Sequence, residues 1–363
     1  MKKVLHIINS LSTGGAEKLM VDILPLLKKT TDSEILILSS QDSEFFMNKI
    51  QMHSIKIHQY HLGIYNPFWI LKIRKILPKY DLVHVHLFPS LYWASMAVRL
   101  NRKNPRLIYT EHNTHNRRRD YKLLRRIERI IYSTYERIIC ISVGVQDKLV
   151  DHIGQQIGLR TIVINNGVHI ERFSKAIPLK ISHIPWDISF EKITILMVAR
   201  FSESKDQQTA IRSLTTLDNR FQLALAGEGP KKENCMDLVS SLKLKQRVYF
   251  LGIRKDIPEL MKTADICLLS SNWEGFGIVA VEAMASGTPL IASDVSGLSE
   301  IVGDGGLLFE KGNYKELAGL IEKLASNKEL SEEISKKAQQ QSSKFTIERM
   351  AESYSRVYLN IVD

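Results

Sequence analysis

The chain has 363 residues, of which 44% are hydrophobic and 25% charged, a composition typical of a soluble globular protein. Its three cysteines, Cys140, Cys235 and Cys267, form no closely spaced pair, which argues against a disulfide framework or a zinc site and favours a reducing cytoplasm. The formal charge of +11 favours an anionic partner. Because no nucleic-acid-binding motif is visible, phosphorylated ligands and an anionic membrane surface are the partners that remain.

Short apolar runs rich in β-branched residues alternate with helical patterns along the whole chain. This alternation predicts an α/β protein with two parallel sheets and crossover helices, and the length suits two domains. The predicted strands lie near residues 3–8, 34–39, 55–60, 82–87, 107–110, 137–142 and 161–165, and then near 193–199, 221–226, 247–251, 265–270, 289–293 and 306–309.

The N-terminal stretch MKKVLHIINSL loosely resembles a signal peptide, but its apolar run, residues 4–8, is too short for that role. It is better interpreted as a buried first strand. No stretch approaches the roughly 18 apolar residues that a membrane-spanning helix requires.

Residues 174–192 contain two prolines and no clear periodicity, so we predict a linker between an N-terminal domain, 1–173, and a C-terminal domain, 193–345. A final helix is predicted at 346–363, because apolar side chains recur there on one helical face. These are Ile347, Met350, Ala351, Tyr354, Val357 and Tyr358. The pattern alone leaves open which domain this helix packs on.

The strongest chemical signal is the segment SSNWEGFGIVAVEAMASG at residues 270–287, which follows a predicted strand and opens a predicted helix. Gly275 and Gly277 allow the backbone to approach a ligand closely, and the free N–H groups at a helix start favour an anion such as a diphosphate. Glu274 precedes the helix and Glu282 lies one turn inside it. A glutamate placed near a ribose, as Glu282 would be, can accept hydrogen bonds from both ribose hydroxyls. Taken alone, a GxG turn before a solvated glutamate is also a common structural feature.

The whole segment resembles the E-x7-E signature of the family-4-type retaining glycosyltransferases, also known as glycosyl transferases group 1. The continuation TPLIASDVSGLSEIVGDGGLLF and the segment VINNGVHIERF resemble the same family, and the resemblance is most specific over 193–309. It implies the GT-B fold, with two Rossmann-like domains facing across a cleft. It also implies a nucleotide-sugar in the C-terminal domain, an acceptor in the N-terminal domain, and a C-terminal helix that packs back on the N-terminal domain.

Arg200 and Lys205 follow the predicted strand ITILMVA at the positions where the family has two cations that hold the donor diphosphate. A leaving nucleoside diphosphate gains negative charge, which two fixed cations and a helix start would stabilise in the transition state. Two solvated surface cations are the alternative interpretation. Residues 201–204 depart from the family's usual sequence, so the contacts of this loop are not predicted.

The resemblance implies further donor contacts at strand ends and around the E-x7-E segment. The predicted donor-binding residues are Gly15, Arg200, Lys205, Gly227, Ile253, Glu274, Gly275, Phe276, Gly277, Ile278, Val279 and Glu282. The predicted catalytic residues are His112, Glu274, Arg200 and Lys205. His112 matches a histidine that the family places beside the transferred sugar, and His115 is a neighbouring candidate. Ordinary turn glycines and a structural histidine are the alternatives.

His84 and His86 lie on one face of the strand LVHVHL, and with His112 they suggest a metal site. No cysteine or carboxylate cluster accompanies them, and the chain contains no Asp-x-Asp pair. We therefore predict no metal site, no cofactor, and metal-independent catalysis in which cations of the chain replace the metal. UDP is the expected nucleotide of the donor.

Residues 117–137 contain eight Lys or Arg against three acidic residues. The side chains of Arg118, Lys122, Arg125 and Arg129 fall on one face of a predicted helix whose other side is apolar. This pattern favours a basic amphipathic helix at an anionic bilayer, although a helix with a buried apolar side and a solvated basic face has the same pattern. A second basic and aromatic segment, PFWILKIRKIL, lies in the same half of the chain.

The predicted function is retaining transfer of a sugar from a nucleotide-sugar to a lipid-linked saccharide. By analogy with the resembled family, we expect it to act in bacterial surface polysaccharide or lipopolysaccharide biosynthesis, at the inner face of the cell membrane. Two alternatives stay open at this point: a nucleotide-sugar epimerase on the same fold, and a non-catalytic nucleotide-sugar-binding subunit.

Overall fold

The computed structural model describes residues 1–12, 14–39, 43–60, 62–101, 104–114, 117–184, 186–189 and 191–362, apart from the side chains at positions 117, 120, 122, 123 and 362. These residues form two compact units. The first unit comprises Met1–Gly167 and Ile347–Asp363, and the second comprises Val168–Thr346.

A parallel sheet of seven strands forms the centre of the first unit, in the order β3-β2-β1-β4-β5-β6-β7. Its strands are β1 Lys3–Ile8, β2 Asp32–Ile37, β3 Ile57–Gln59, β4 Leu82–His86, β5 Arg106–Glu111, β6 Arg137–Cys140 and β7 Thr161–Val163. The central strands are buried along nearly their whole length, as expected for a parallel sheet covered by helices on both faces.

The second unit repeats this architecture with six parallel strands in the order β10-β9-β8-β11-β12-β13. Its strands are β8 Ile193–Val198, β9 Phe221–Ala226, β10 Val248–Gly252, β11 Ile266–Leu269, β12 Leu290–Asp294 and β13 Leu307–Glu310. In both sheets the strand order reverses direction once, between β1 and β4 and between β8 and β11.

Helices connect the strands in both units. Those of the first unit are α1 Gly15–Leu27, α2 Glu44–Met52, α3 Trp69–Ile76, α4 Ser90–Arg99, α5 Lys122–Tyr132, α6 Val143–Ile153, α7 Gln155–Gly158 and the C-terminal α16 Ile347–Val362. Those of the second unit are α8 Ile170–Ser174, α9 Gln207–Ser213, α10 Lys232–Ser241, α11 Ile257–Thr263, α12 Ile278–Ser286, α13 Ser299–Val302, α14 Tyr314–Ser326 and α15 Lys328–Ser342. None of these described helices is long and apolar enough to cross a bilayer.

Every predicted strand is present in the described residues, so the predicted α/β class with two Rossmann-like units is confirmed. The unit boundaries differ from the predicted ones, because the first unit ends at Gly167 and residues 174–192 lie within the second unit. In that segment Trp186 is buried, and the backbone carbonyl of Asp187 accepts a hydrogen bond from Gln222 Nε2 at 2.7 Å. The apolar face of α16 is buried in the core of the first unit.

A group of buried histidines lies under α16 in the first unit. His6 on β1 pairs in register with His84 on β4, and His86 follows two residues later on the same face. His84 Nδ1 lies 2.6 Å from the Tyr358 hydroxyl of α16, and its Nε2 lies 2.6 Å from Thr110 Oγ1. Burial lowers the pKa of His6 to about 3 and lowers the pKa of His84 and His86 well below the ordinary value. These rings are therefore neutral at pH 7.

This burial predicts acid sensitivity. The unfolded chain takes up a proton on each of these rings as the pH falls below about 6.5, whereas the folded chain does not, so stability is complete above that pH and is lost below it. We expect the free energy of unfolding to fall by about 2 kcal/mol for each of the three rings between pH 6.5 and pH 5. Urea unfolding followed by circular dichroism measures this change.

A matched pair of variants assigns the effect. His6→Gln should reduce the pH dependence by about one proton, whereas His183→Gln, at an exposed histidine of the second unit, should leave it unchanged. Stability that is constant from pH 7 to pH 5 would contradict the prediction.

Candidate active site

The candidate donor site lies at the carboxyl ends of β8 and β11 in the second unit. These neighbouring strands flank the point where the strand order reverses, and ligands of open parallel sheets bind in the crevice outside such a point. The loop after β8 carries Arg200 and Lys205. The loop after β11 carries Glu274 and leads into α12. The topology therefore brings together residues that are far apart in the sequence.

Hydrogen bonds join these two loops directly. The backbone N–H of Asn272 donates to the carbonyl of Ser204 at 2.8 Å, and its side-chain amide donates to the carbonyl of Glu203 at 2.7 Å. Ser270 Oγ donates to the carbonyl of Asp206 at 2.8 Å. Because backbone groups of one loop hold the other, the two loops form one continuous surface.

An ion pair between Lys205 and Glu274 lies on this surface. The Glu274 carboxylate also accepts a hydrogen bond from Ser271 Oγ at 3.0 Å. Glu274 is only 8% exposed. The Lys205 side chain is partly exposed, and Arg200 is exposed. The structure thus brings Lys205 and Glu274 into direct contact and leaves Arg200, which lies in the same loop as Lys205, exposed. Sequence reasoning did not predict that the cation and the carboxylate contact each other.

Two glycines explain the course of the loop that leads into α12. Gly277 has a φ of 77°, and a Cβ there would lie 2.5 Å from Leu298 Cδ1. Gly297 has a φ of 84°, and a Cβ there would lie 2.5 Å from the carbonyl oxygen of Glu274. A larger residue at either position would displace the loop. α12 then begins at Ile278, where helix geometry leaves N–H groups without intrahelical acceptors, so an anion can bind there.

The remaining predicted donor residues differ in their surroundings. Glu282 on α12 is 5% exposed and is therefore not a solvated helix residue. Phe276 is buried with its ring edge-on to Phe345, so packing explains it without a ligand. Gly227 lies where a Cβ would collide with the carbonyl of Ala199, so close approach of two loops explains it as well. Ile253 is 75% exposed at the end of β10, where a base could contact it.

In the first unit, His112 directly follows β5. Burial lowers the pKa of His112 to about 4, so the ring is neutral at pH 7. Its Nε2 is buried without a hydrogen-bond partner among the described residues, and its ring lies 6.0 Å from that of His86. A neutral imidazole can exchange hydrogen bonds with a sugar hydroxyl but adds no positive charge. His115, the neighbouring candidate, lies outside the described residues.

The first turn of α1, which follows the glycine-rich loop after β1, contains a carboxylate, Glu17, that sequence reasoning missed. Gly15 is the first residue of α1, and the Glu17 side chain lies over Gly14, so that any Cβ at position 14 would collide with it. Burial raises the pKa of the Glu17 carboxyl. The predicted donor contact of Gly15 stays a prediction.

The sequence suggested a possible metal site at His84, His86 and His112, but the structure groups the histidines differently. Within the described part of the chain, His6 joins His84 and His86, with ligand atoms within 4.8 Å of one another, and His112 does not belong to this group. Both ring nitrogens of His84 already hydrogen-bond to Tyr358 and Thr110. A metal ion would have to displace one of these hydrogen bonds, so the arrangement fits a neutral polar network better than a metal site.

The structure corrects the predicted basic helix. α5 begins at Lys122, and Arg118 lies before it in a short 3-10 turn, Arg117–Asp120. Arg118 Nε lies 2.9 Å from the carboxylate of the buried Glu128, and its guanidinium lies 3.8 Å above the Phe88 ring. Arg118 therefore does not belong to a solvated basic face, because a buried carboxylate requires a partner.

The other predicted membrane residues differ from Arg118. Arg125 donates to the backbone carbonyls of Asp151 and His152 in the last turn of α6, both at 2.7 Å. Arg129 is exposed, and the side chain of Lys122 lies outside the described residues.

Two family models match the chain. Residues 13–172 match Glycosyltransferase Family 4, and residues 182–341 match Glycosyl transferases group 1. The chain belongs to the family-4-type glycosyltransferases. EpsD of Bacillus subtilis (strain 168) is 29% identical over 303 residues, which cover 78% of this glycosyltransferase and 79% of EpsD.

A Campylobacter jejuni enzyme, N-acetylgalactosamine-N,N'-diacetylbacillosaminyl-diphospho-undecaprenol 4-alpha-N-acetylgalactosaminyltransferase, is 24% identical over 337 residues, covering 87% of this chain and 88% of that enzyme. The crystal structure of Anabaena HepE in complex with UDP and glucose superposes with a TM-score of 0.85 at 23% identity, over 99% of this chain and all of HepE. This similarity confirms the GT-B fold of the glycosyltransferase.

The donor loops lead to a prediction for this glycosyltransferase. Arg200→Ala and Lys205→Ala should each lower turnover by at least about tenfold, because each removes a cation that is predicted to stabilise the departing phosphate. Lys192→Ala is the matched control, because Lys192 has the same exposed side-chain fraction as Lys205, 26%, and lies at the opposite end of β8. Steady-state release of nucleoside diphosphate measures the effect. Turnover close to that of the parent in both loop variants would contradict the assignment.

Proposed function

We propose that this glycosyltransferase transfers a sugar from a UDP-sugar to a lipid-linked saccharide at a membrane surface, with retention of the anomeric configuration, in bacterial surface polysaccharide biosynthesis. The observation that carries the proposal is the joined loop surface, where Lys205, Glu274 and the start of α12 lie together. HepE, which has the same fold, binds UDP and glucose, and the Campylobacter relative acts on a diphospho-undecaprenol-linked saccharide by its name.

In the proposed reaction, the bond between the anomeric carbon and the β-phosphate oxygen breaks, and its electron pair stays on the phosphate. Arg200, Lys205 and the N–H groups at the start of α12 stabilise that charge. The acceptor hydroxyl forms the new bond on the face that the phosphate leaves, and a phosphate oxygen takes its proton. No covalent sugar–enzyme intermediate is required.

The carboxylates and His112 position the substrates in this scheme. Glu282 accepts hydrogen bonds from the ribose hydroxyls, and Glu274 accepts one from a hydroxyl of the transferred sugar. Lys205 Nζ and Ser271 Oγ both donate to Glu274 Oε1. These two contacts orient the carboxylate before the sugar binds. His112, neutral at pH 7, orients the transferred sugar. The cations of the chain do the work that a divalent metal does elsewhere, so we propose catalysis without a metal.

Exposed aromatic side chains support a lipid-linked acceptor. Phe45, Tyr65, Phe68 and Tyr121 are 62–71% exposed. Each follows a strand of the first sheet, so all four lie at its carboxyl edge, the edge that also carries His112. Aromatic side chains are favoured at membrane–water interfaces. We call these four residues the aromatic edge and propose that it contacts the membrane.

α5 begins directly after Tyr121 of the aromatic edge and carries exposed apolar and basic side chains of its own. Ile127 and Ile130 are exposed on this helix, beside the exposed Arg126 and Arg129. Isoleucines in the interface and arginines at the lipid phosphates would complement each other. Arg118 takes no part in this contact.

Release of UDP tests the function. The protein is incubated with UDP-glucose, UDP-galactose and UDP-N-acetylglucosamine, with and without an undecaprenyl-diphosphate-linked saccharide. We expect UDP release that depends on the acceptor and persists in EDTA. Loss of activity that magnesium or manganese restores would contradict the metal-independent mechanism. A new isomeric UDP-sugar would indicate an epimerase, and no turnover of any donor would indicate a binding subunit.

Vesicle sedimentation tests the membrane surface. Binding should require phosphatidylglycerol and weaken at high salt, because exposed charges are screened within about 8–10 Å at physiological ionic strength. Arg126→Gln and Arg129→Gln should each weaken it about fivefold, since one cation near a bilayer contributes about 1 kcal/mol.

Tyr65→Ser with Phe68→Ser should weaken vesicle binding further. Leu159→Ser is the control, because Leu159 is 84% exposed at the opposite edge of the first sheet. Equal binding by the parent, the arginine variants and the aromatic variant would contradict this surface.

A further inference from the structure

A buried carboxylate, that of Glu111, immediately precedes His112 in the sequence. Glu111 is the last residue of β5 and is 1% exposed. Its Oε2 accepts a hydrogen bond from the Tyr132 hydroxyl at 2.7 Å and lies 3.1 Å from Arg119 Nη2. Its Oε1 accepts from the backbone N–H of Asn113 at 3.2 Å. The carboxylate thus bonds to the backbone immediately after His112.

The Arg119 guanidinium closes the loop on its other side. Arg119 Nη1 donates to the carbonyl of Thr114 at 3.1 Å while Nη2 pairs with Glu111. The backbone around His112 is therefore tied to Glu111 at residue 113 and, through Arg119, at residue 114. Tyr132 is the last residue of α5, so its hydroxyl connects Glu111 to that helix. Its buried ring packs edge-on against Tyr109 of β5 at 5.7 Å.

The adjacent arginine makes a similar arrangement that does not include His112. Arg118 pairs with the buried Glu128, which also accepts hydrogen bonds from the Tyr92 hydroxyl at 2.9 Å and lies 2.5 Å from His152 Nε2. Both groups combine an arginine, a buried carboxylate and a tyrosine hydroxyl. The Glu111 group differs in that it bonds to the backbone next to His112, at residues 113 and 114.

We propose that Glu111, held by Tyr132 and Arg119, is a positioning residue that sets His112 at the transferred sugar. The proposal rests on the role proposed for His112. A charge-assisted pair is suited to this task, because its geometry is more specific than that of apolar packing. A small misplacement of a positioned group is sufficient to lower turnover about a hundredfold.

Paired variants separate positioning from general stability. Tyr132→Phe and Tyr92→Phe each remove one hydroxyl from a buried carboxylate, and Glu111→Gln and Glu128→Gln each remove the charge. With UDP-glucose as the probe donor, Glu111→Gln and Tyr132→Phe should lower turnover by at least about tenfold with unchanged UDP-glucose affinity. Tyr92→Phe and Glu128→Gln should stay within about twofold of the parent, since they do not touch the backbone beside His112.

A double-mutant cycle with His112→Ala tests whether Glu111 acts through His112. Glu111→Gln should cause no further loss in the His112→Ala background, because a positioning residue has no effect once its target is absent. Multiplicative losses in the double variant would overturn the inference. So would near-normal turnover of Glu111→Gln beside an impaired His112→Ala. A fully active His112→Ala would overturn the role of His112 and this inference together, while leaving sugar transfer itself established.

Nuclear magnetic resonance gives a readout that requires no substrate. In protein labelled with ¹⁵N-histidine, the ring signals of His112 are assigned by their loss in His112→Ala. Glu111→Gln and Tyr132→Phe should shift or broaden these signals, and Tyr92→Phe should leave them in place. Ring signals of His112 that do not move in Glu111→Gln would overturn the inference even if UDP-glucose is not turned over.

Discussion

The ion pair between Lys205 and Glu274 joins the two loops on which the proposed chemistry depends. The loops come from β8 and β11, which are neighbours only because the strand order of the second sheet reverses between them. The pair sets a cation where the diphosphate is expected and orients a carboxylate where the sugar is expected. The backbone N–H and the side-chain amide of Asn272 both donate to carbonyls of the other loop, so contacts within the chain hold the two loops together.

In the first unit, two arginines form ion pairs with buried carboxylates instead of lying exposed. Arg118 and Arg119, which read as part of an exposed basic stretch, instead pair with the buried Glu128 and Glu111. Breaking one partner of such a pair is costly, because the other charge stays buried and unpaired. The buried histidines avoid that cost by remaining neutral. Burial likewise keeps His112 of the first unit neutral at pH 7, whereas the candidate donor loops of the second unit carry the cations Arg200 and Lys205.

The fold was predictable from the sequence, because continuous apolar runs such as ITILMVA mark strands buried on both faces, and two sets of them require two sheets. The E-x7-E segment predicted the candidate donor site from its residue types, and its Gly277 has a φ of 77°, a backbone conformation that favours glycine. The contact of Lys205 with Glu274 was not predictable, since 69 residues separate them and no local pattern relates them. The ion pair of Arg118 with Glu128 was not predictable either, because periodicity does not show where α5 begins or that the Glu128 side chain is buried.

The two prolines in residues 174–192 suggested a linker between domains. In the structure, Trp186 of this segment is buried, and the segment lies within the second unit.

In the proposed reaction, charge stabilisation at the leaving phosphate, rather than attack by a carboxylate, promotes transfer of the sugar. Glu282 and Glu274 are both committed to holding substrate hydroxyls in this account, so neither attacks the anomeric carbon. The decisive measurement is the anomeric proton coupling of the product, recorded by NMR at early times with an α-linked UDP-sugar. We expect an α-linked product and no glycosylated enzyme by mass spectrometry. A β-linked product, or a glycosyl adduct on Glu274, would contradict it.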